Sequence, residues 1–114
     1  MMATCCPEVP NCCDMRGMLS FLILWSLSKK PMNGQQLSEA IGNRRGVKPT
    51  AGTIYPALKE LRLKKLVKME RKGRETVYSL SEKGRKGLKE ACEYFCYVFG
   101  EIFQEYGEKT RCAR

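Results

Sequence analysis

The segment that decides the fold lies in the middle of the chain, where residues 50–80 read TAGTIYPALKELRLKKLVKMERKGRETVYSL. Its first half repeats apolar residues at the spacing of one face of an α-helix. After residue 66 the period becomes two, as in a half-buried strand, and a returning strand follows the basic turn Lys72-Gly73-Arg74. The segment therefore predicts a helix followed by a β-hairpin with a charged tip.

The residues before this segment predict two more helices. The first runs from Met15 to Lys30, with Asp14 as its N-cap. Apolar residues surround almost all of it, so it needs cover on more than one face, and a second subunit is the simplest extra cover in so small a domain. Asn33 caps the second helix, which reaches Ile41.

The third helix begins after Thr50 and reaches about Lys65, beyond a basic connector of residues 42–49. Pro56 lies inside this helix and removes one backbone hydrogen bond. Two alternatives remain open here: the helix starts effectively near Thr53, or its first turn is kinked. Three helices followed by a hairpin are the order of elements in a winged helix-turn-helix domain.

A fourth helix follows the hairpin, with Ser81 available as its cap. Its apolar residues recur at alternating steps of four and three, the heptad-like pattern of a helix that packs lengthwise against another helix. They are Leu88, Cys92, Phe95, Phe99, Ile102 and Tyr106. One small domain would cover this seam poorly, and pairing with a second copy of the chain is the simplest remedy.

The predicted fold class is mainly α with a small β-hairpin, a winged helix-turn-helix domain followed by a C-terminal dimerisation helix. We expect residues 1–13 to form an irregular Cys-rich arm and 14–80 the winged-helix domain. Residues 81–109 then form the dimerisation helix, and 110–114 form a tail. A chain of 114 residues has room for one such domain with one protruding element.

Positive charge is concentrated in the predicted domain. The whole chain carries 21 Lys and Arg against 12 Asp and Glu, a formal net charge of +9. Between Arg44 and Lys89, fifteen basic and four acidic residues give +11, which leaves −2 for the rest of the chain. Such a field favours polyanionic partners, among which nucleic acid is the most common.

Other classes of protein find no support in the sequence. No run of 18 apolar residues could span a membrane, and the first ten residues lack the basic start of a signal peptide. We therefore expect a cytoplasmic protein without a membrane partner, whose cysteines are mostly reduced. The chain has no histidine and no nucleophile elbow, P-loop or dinucleotide motif, so we do not expect an enzyme.

Three motifs carry a resemblance to a known family. They are Lys29-Lys-Pro-Met-Asn-Gly34, Thr50-Ala-Gly-Thr-Ile-Tyr-Pro-Ala-Leu-Lys-Glu-Leu61 and Val77-Tyr-Ser-Leu-Ser-Glu-Lys-Gly84. Together they resemble the PadR family of bacterial and archaeal transcription regulators, and the middle motif is the most specific. Gln35 stands where the family usually has tyrosine after the glycine, so one aromatic contact of relatives is expected to be absent. The resemblance implies a dimeric DNA-binding repressor that responds to a small-molecule effector.

The third helix is expected to enter the major groove of DNA, which admits an α-helix and displays distinguishable base edges. Gly52 would keep its backbone close to the duplex, and the helix N-terminus favours a phosphate. The hairpin tip suits phosphates or a narrow minor groove. For Tyr55, core packing with its hydroxyl at the rim is the alternative. The candidate DNA contacts are Gln35, Ser38, Thr50, Gly52, Thr53, Tyr55, Lys59, Arg71, Lys72 and Arg74.

The first and last helices are expected to form the dimer interface. The candidate interface residues are Leu22, Leu88, Phe95, Phe99 and Ile102.

The cysteines leave several alternatives open. Cys92 and Cys96 lie one helical turn apart, and Cys12 and Cys13 precede the first helix, so these four thiolates could hold a soft metal such as zinc. The spacing of a zinc ribbon is absent, and packing of Cys92 and Cys96 as small apolar residues is the simpler alternative. Redox sensing and structural disulfides are the others.

These residue patterns are compatible with three functions. The first is a homodimeric repressor that binds a palindromic operator in double-stranded DNA. The second is a metal- or thiol-responsive regulator of the same fold. The third, of another class, is a winged-helix module that mediates protein contacts or RNA binding.

Overall fold

A computed structural model describes residues 18–110 of the chain. In chain order the elements are α1 (Leu19–Leu27), β1 (Met32–Asn33), α2 (Gly34–Arg45), α3 (Ala51–Leu63), β2 (Val67–Lys72), β3 (Glu75–Leu80) and α4 (Glu82–Thr110). The mainly helical class with a hairpin and a long final helix is thereby confirmed. The predicted arm of residues 1–13, the cap Asp14 and residues 111–114 of the tail lie outside the described residues.

The sheet contains the predicted hairpin and one additional strand. β2 and β3 pair antiparallel, with Val67 opposite Leu80. The two-residue turn between them begins with Gly73, whose φ of 63° is in the left-handed region that glycine adopts easily. β1 lies on the other side of β3, since Met32 pairs with Tyr78. The sequence did not reveal β1, because two residues are too few to show a period.

α2 begins at the predicted cap. The side-chain oxygen of Asn33 accepts a hydrogen bond from the backbone N–H of Gln36 at 2.7 Å. The side-chain oxygen of Gln36 in turn accepts from the backbone N–H of Asn33 at 2.9 Å, which completes a capping box. α2 continues past the predicted end at Ile41 to Arg45, where Gly46 with φ of 88° follows in the left-handed conformation common after helices.

The start of α3 distinguishes between the two alternatives that Pro56 left open. The carbonyl of Thr50 accepts hydrogen bonds from the amides of Thr53 and Ile54 at 3.0 and 2.9 Å, so the helix begins directly after Thr50. An effective start near Thr53 is therefore wrong. α3 contains Pro56 in its interior, where the proline offers no N–H to the carbonyl of Gly52.

Hydrogen bonds through Ser81 connect the residues just after α3 to the first turn of α4. Lys65 has φ of 66°, and the amide of Leu66 reaches back to the carbonyl of Leu61 at 3.0 Å, as in a Schellman motif. The hydroxyl of Ser81 donates to the carbonyl of Lys65 at 2.7 Å and accepts from the amide of Gly84 at 2.9 Å. Ser81 thus caps α4, as predicted, and holds it against the preceding helix.

The core lies between the first three helices and the sheet, and the first turns of α4 complete it. α1 contacts α2, α3, β3 and α4, so most of its apolar surface is covered within one protomer. Only Leu19, Leu22 and Trp25 remain partly exposed on α1. The largest side chains that are fully buried are Ile23, Leu24, Leu37, Ile41, Ile54, Leu58, Leu61 and Leu66.

α4 packs on the domain at its beginning and projects from it at its end. Its 29 residues correspond to a length of roughly 44 Å, at about 1.5 Å per residue, against a longest molecular dimension of 47 Å. Leu88 and Ala91 are buried, whereas residues 96–99 and 101–106 are exposed. Within residues 18–110, no helix combines the length and apolarity that crossing a bilayer requires.

Candidate nucleic-acid interface

The first turn of α3 presents polar groups to solvent. Thr50 and Thr53 are exposed, and their hydroxyl oxygens lie 3.2 Å apart, within hydrogen-bonding distance. The start of a helix leaves its first amides, here those of Ala51 and Gly52, without intrahelical partners, at the positive end of the helix dipole. Apart from its chain neighbours and the backbone of its own helix, the one atom among the described residues within 4 Å of a Cβ built on Gly52 is the hydroxyl oxygen of Thr50. The backbone here is open to the close approach of a ligand.

Tyr55 occupies the boundary between α2 and α3. Its side chain is 46% exposed, yet its phenol lies against Gly34, where an added Cβ would overlap the hydroxyl and the ring. Tyr55 therefore belongs to the exposed surface, held in place by the neighbouring helix. Burial raises the pKa of Tyr78; the nearby Tyr55 adds to this shift and Arg62 opposes it. The phenol of Tyr78 therefore ionises at a higher pH than that of an exposed tyrosine.

A groove of about 360 Å³ separates the starts of α2 and α3. It brings together four of the predicted contact residues, Gln35, Ser38, Thr50 and Tyr55. Ser38 is only 6% exposed, so it presents little surface to the groove, and its contact with a phosphate stays a prediction. Lys48 also lines the groove and was not among the predicted contacts; its position in the basic connector was the available signal.

The wing, formed by β2, β3 and their turn, carries its positive charges on the surface. Arg71, Lys72 and Arg74 are all exposed at the end of the hairpin, as predicted. Lys59 is exposed on α3, one helical turn after Tyr55. Cations on flexible side chains at a hairpin tip can contact phosphates without needing a particular base sequence.

The predicted dimer residues fall into three groups by their exposure. Leu88 is 8% exposed and lies in the core of its own protomer, so it has little surface left for a second copy. Leu22 and Phe95 are partly buried, and the Phe95 ring stacks on that of Phe21 with centroids 5.6 Å apart. By contrast, Phe99 and Ile102 are 36% and 51% exposed.

Two further apolar residues of α4 were not among the predicted interface residues. Val98 and Phe103 are also exposed, and the ring centroid of Phe103 lies 5.8 Å from that of Phe95. Phe103 follows Phe95 by eight residues, and this spacing returns to a similar face of a helix. The sequence therefore contained a signal that could have identified Phe103. The projecting end of α4 therefore exposes a continuous set of apolar side chains, which are Val98, Phe99, Ile102, Phe103 and Tyr106.

The predicted metal ligands are only partly placed by the structure. Cys92 and Cys96 line one cavity, which agrees with their expected position on one helix face. Cys12 and Cys13 lie outside the described residues, and among the side chains described, those of residues 18–106, no three of Cys, Asp or Glu cluster as a metal site. A shared site of these four cysteines stays a prediction.

A helix with an exposed polar start, followed by a hairpin with exposed cations, is the order of features in winged-helix DNA-binding proteins. The sequence pattern of the family described as "Transcriptional regulator PadR-like family" matches residues 23–90, more than half of the chain. The chain belongs to this family, as the motifs suggested. The family consists of transcriptional regulators, so the expectation that the chain is not an enzyme is also confirmed.

Solved structures share the fold. A transcriptional regulator from Clostridium thermocellum superposes with a TM-score of 0.69 at 22% identity, over 79% of this chain and 94% of its own. A PadR-like transcription factor from Bacteroides fragilis gives 0.67 at 24% identity, over 76% and 88%. A PadR family transcriptional regulator from Eggerthella lenta gives 0.64 at 22%, over 80% and 83%. At these identities the likeness establishes the winged-helix architecture.

A curated relative comes from Streptomyces fradiae. It is a 37.1 kDa protein in transposon TN4556, 31% identical over 84 residues, which are 73% of this chain. The chain spans about a quarter of the length of that relative, since the match covers 24% of it.

Proposed function

We propose that the chain acts as a homodimeric repressor that binds a palindromic operator in double-stranded DNA. The observation that carries the proposal is that both the polar start of α3 and the cations of the wing are exposed, in a region of net charge +11 between Arg44 and Lys89. Polyanion attraction supplies affinity, and a helix that fits the major groove supplies sequence preference.

Within the proposed complex, the contacts divide between bases and phosphates. Thr53 and Tyr55 face the base edges from α3, while Gly52 allows the helix backbone to approach the duplex. Thr50, Gln35 and Lys59 contact the sugar–phosphate backbone around the groove, and the wing cations neutralise phosphates beside it. Phosphate contacts position the domain, and base contacts distinguish the operator from other DNA.

The exposed apolar end of α4 supports the homodimer. A second copy that packs against Phe99, Ile102 and Phe103 would remove their side chains from water. Dimers of helix-turn-helix proteins place two recognition helices about one turn of DNA apart, roughly 34 Å, so each binds one half-site. A palindromic operator is the DNA counterpart of this two-fold symmetry.

Repression follows when the dimer occupies a promoter and blocks access to it, and this role places the protein in the cytoplasm. A small-molecule effector that changes the dimer would control the occupancy. A regulator triggered by metal or thiol chemistry, and a module that binds protein or RNA, are the two competing functions. Metal analysis of the purified protein tests the metal-responsive regulator. Competition between RNA and operator DNA tests the module that binds RNA.

The experiment begins with selection of bound sequences from random double-stranded DNA, followed by footprinting. We expect a two-fold symmetric site. Replacing Lys72 and Arg74 together by alanine should weaken binding to all DNA, and the slope of log K against log salt should fall by about 0.9 per lost phosphate contact. Thr53→Ala should instead reduce the preference for the selected site over random DNA.

The matched control replaces Lys83 and Lys86, two exposed cations at the start of α4, by alanine. It removes the same charge from the chain but leaves the wing intact, so its salt slope should stay near that of the unchanged protein. Equal losses in both double variants would contradict the assignment of phosphate contacts to the wing. Failure to enrich any symmetric site would contradict the operator.

A further inference from the structure

Two cysteines of α4 form a pair that the proposed DNA contacts do not use. Cys92 is partly buried against the core, and Cys96, one helical turn later, is exposed. Both line a cavity of about 440 Å³ that is bordered by α1, the end of α2 and the middle of α4. Met18, which directly precedes α1, lines the same cavity. The lining therefore contains three sulfur-bearing side chains from two parts of the chain.

The spacing of the two cysteines limits how they can be bridged. Residues four apart on a helix have Cβ atoms about 5–6 Å apart, whereas a disulfide requires about 3.5–4.5 Å. α4 would have to distort before the two sulfurs could bond directly. A metal ion between them lengthens the bridge, because two metal–thiolate bonds of roughly 2.3 Å replace one sulfur–sulfur bond of about 2 Å. The pair thus suits a bridging metal better than a disulfide.

The ligand set favours a soft cation over zinc. A structural zinc ion takes four ligands. Among the side chains described, those of residues 18–106, no group of three Cys, Asp or Glu occurs, and the chain has no histidine. Thiolates together with a methionine thioether are instead ligands that select Cu(I), which two or three sulfur atoms can hold without further donors. Cys92, Cys96 and Met18 match this preference.

Cations beside the pair would balance the charge of the complex, since two thiolates and one Cu(I) leave one net negative charge. The two arginines that end α2 line the same cavity. Burial raises the pKa of Cys92, and the nearby Cys96 raises it further. Lys29 lowers this pKa, and Glu93 raises it by a smaller amount. The two thiols and the Lys29 ammonium are therefore close enough for their charges to interact.

We propose that Cys92 and Cys96 bind one Cu(I) ion between their thiolates, with the thioether of Met18 as a third ligand. Each thiol releases its proton to solvent as its sulfur binds the metal, and copper keeps its oxidation state, so binding needs no oxidant or reductant. The bound ion would join the start of α1 to the middle of α4. The site uses neither Cys12 nor Cys13, and the ion binds there whether or not it controls DNA binding.

The test measures Cu(I) affinity in the full chain. The chain has seven cysteines, so the five others are replaced by serine to leave Cys92 and Cys96 alone. Cu(I) is added without oxygen, in competition with the chelator bicinchoninate, and circular dichroism verifies that each variant remains helical. We expect one Cu(I) per chain, with only sulfur ligands in the X-ray absorption spectrum. In the otherwise unmodified chain, replacing both Cys92 and Cys96 by serine should lower the Cu(I) capacity by one ion.

The matched control moves one thiol and keeps the number of thiols. Cys96→Ser combined with Glu90→Cys places the second thiol two residues before Cys92, at an exposed position that does not share its helix face. The Cu(I) affinity should fall by at least about a hundredfold, the lower end of the gain that a second ligand on the same molecule provides. Met18→Leu, which keeps an apolar side chain of similar size, should lower the affinity by a smaller factor and remove one sulfur ligand.

Equal Cu(I) affinities in the Cys92/Cys96 protein and the Glu90→Cys control would overturn the two-thiolate site. Zinc that resists displacement by Cu(I) would overturn the assignment to copper. An unchanged number of sulfur ligands in Met18→Leu would overturn the role of Met18. None of these measurements uses operator DNA, so failure of the proposed repressor function would be distinguishable from failure of this site.

Discussion

The dimer is most directly tested by removing apolar side chains that the protomer itself does not bury. Phe99 and Ile102 meet this condition because they lie on the projecting part of α4, beyond the core. Phe95 does not, since its ring stacks on Phe21 and its removal would also damage the fold. We therefore choose the double variant Phe99→Ala/Ile102→Ala, in which alanine preserves the helix.

The expected effect follows from the exposed fractions of the two side chains. Phe99 is 36% exposed and Ile102 is 51% exposed. Complete burial of such a side chain contributes about 1.5–3 kcal/mol, so burying these fractions in a dimer contributes about 3–5 kcal/mol over two protomers. Because 1.4 kcal/mol corresponds to a factor of ten, the dimer Kd should rise by about two to four orders of magnitude.

Sedimentation equilibrium over a range of protein concentrations measures this Kd, and circular dichroism verifies that the variant remains helical. The control is Glu93→Ala/Glu101→Ala, two exposed positions on the charged face of the same helix, which should leave the Kd within a factor of about three. The folded Phe99/Ile102 variant should also lose operator affinity, because its half-sites are bound independently. A Kd unchanged from the unmodified protein would refute this interface.

Two further predictions concern glycines at close contacts. Gly84→Ala should destabilise the domain by about 1–3 kcal/mol, because the added Cβ would overlap the backbone carbonyl of Leu66. Gly100→Ala, in the same helix with open space around it, should stabilise the domain by up to about 1 kcal/mol, and thermal unfolding compares the two. Gly34→Ala should displace the phenol of Tyr55 and reduce operator preference more than thermal stability, measured by binding to operator and random DNA. Equal melting temperatures for Gly84→Ala and Gly100→Ala would contradict the close contact of Gly84 with the Leu66 carbonyl. Unchanged operator preference in Gly34→Ala would contradict the role of the contact between Gly34 and Tyr55.

Elements set by local interactions could be predicted from the sequence. The change of period after residue 66 indicated a helix followed by a hairpin, because side-chain periodicity is a property of each element alone. Asn33 and Ser81 could be identified as caps for a similar reason, since a cap bonds to amides only three residues away. The family motif across residues 50–61 added the class of regulator.

Features that depend on distant residues were decided only by the tertiary structure. Leu88 and Phe99 belong to one heptad-like seam, yet Leu88 is buried and Phe99 is exposed, because the domain core extends only to the middle of α4. The sequence placed Ser38 on α2, but only the packed structure showed that it is 6% exposed at the groove between α2 and α3. Likewise, the cavity gathers side chains from three helices that are distant in sequence. Periodicity states which residues share a face of a helix, but only packing determines what covers that face.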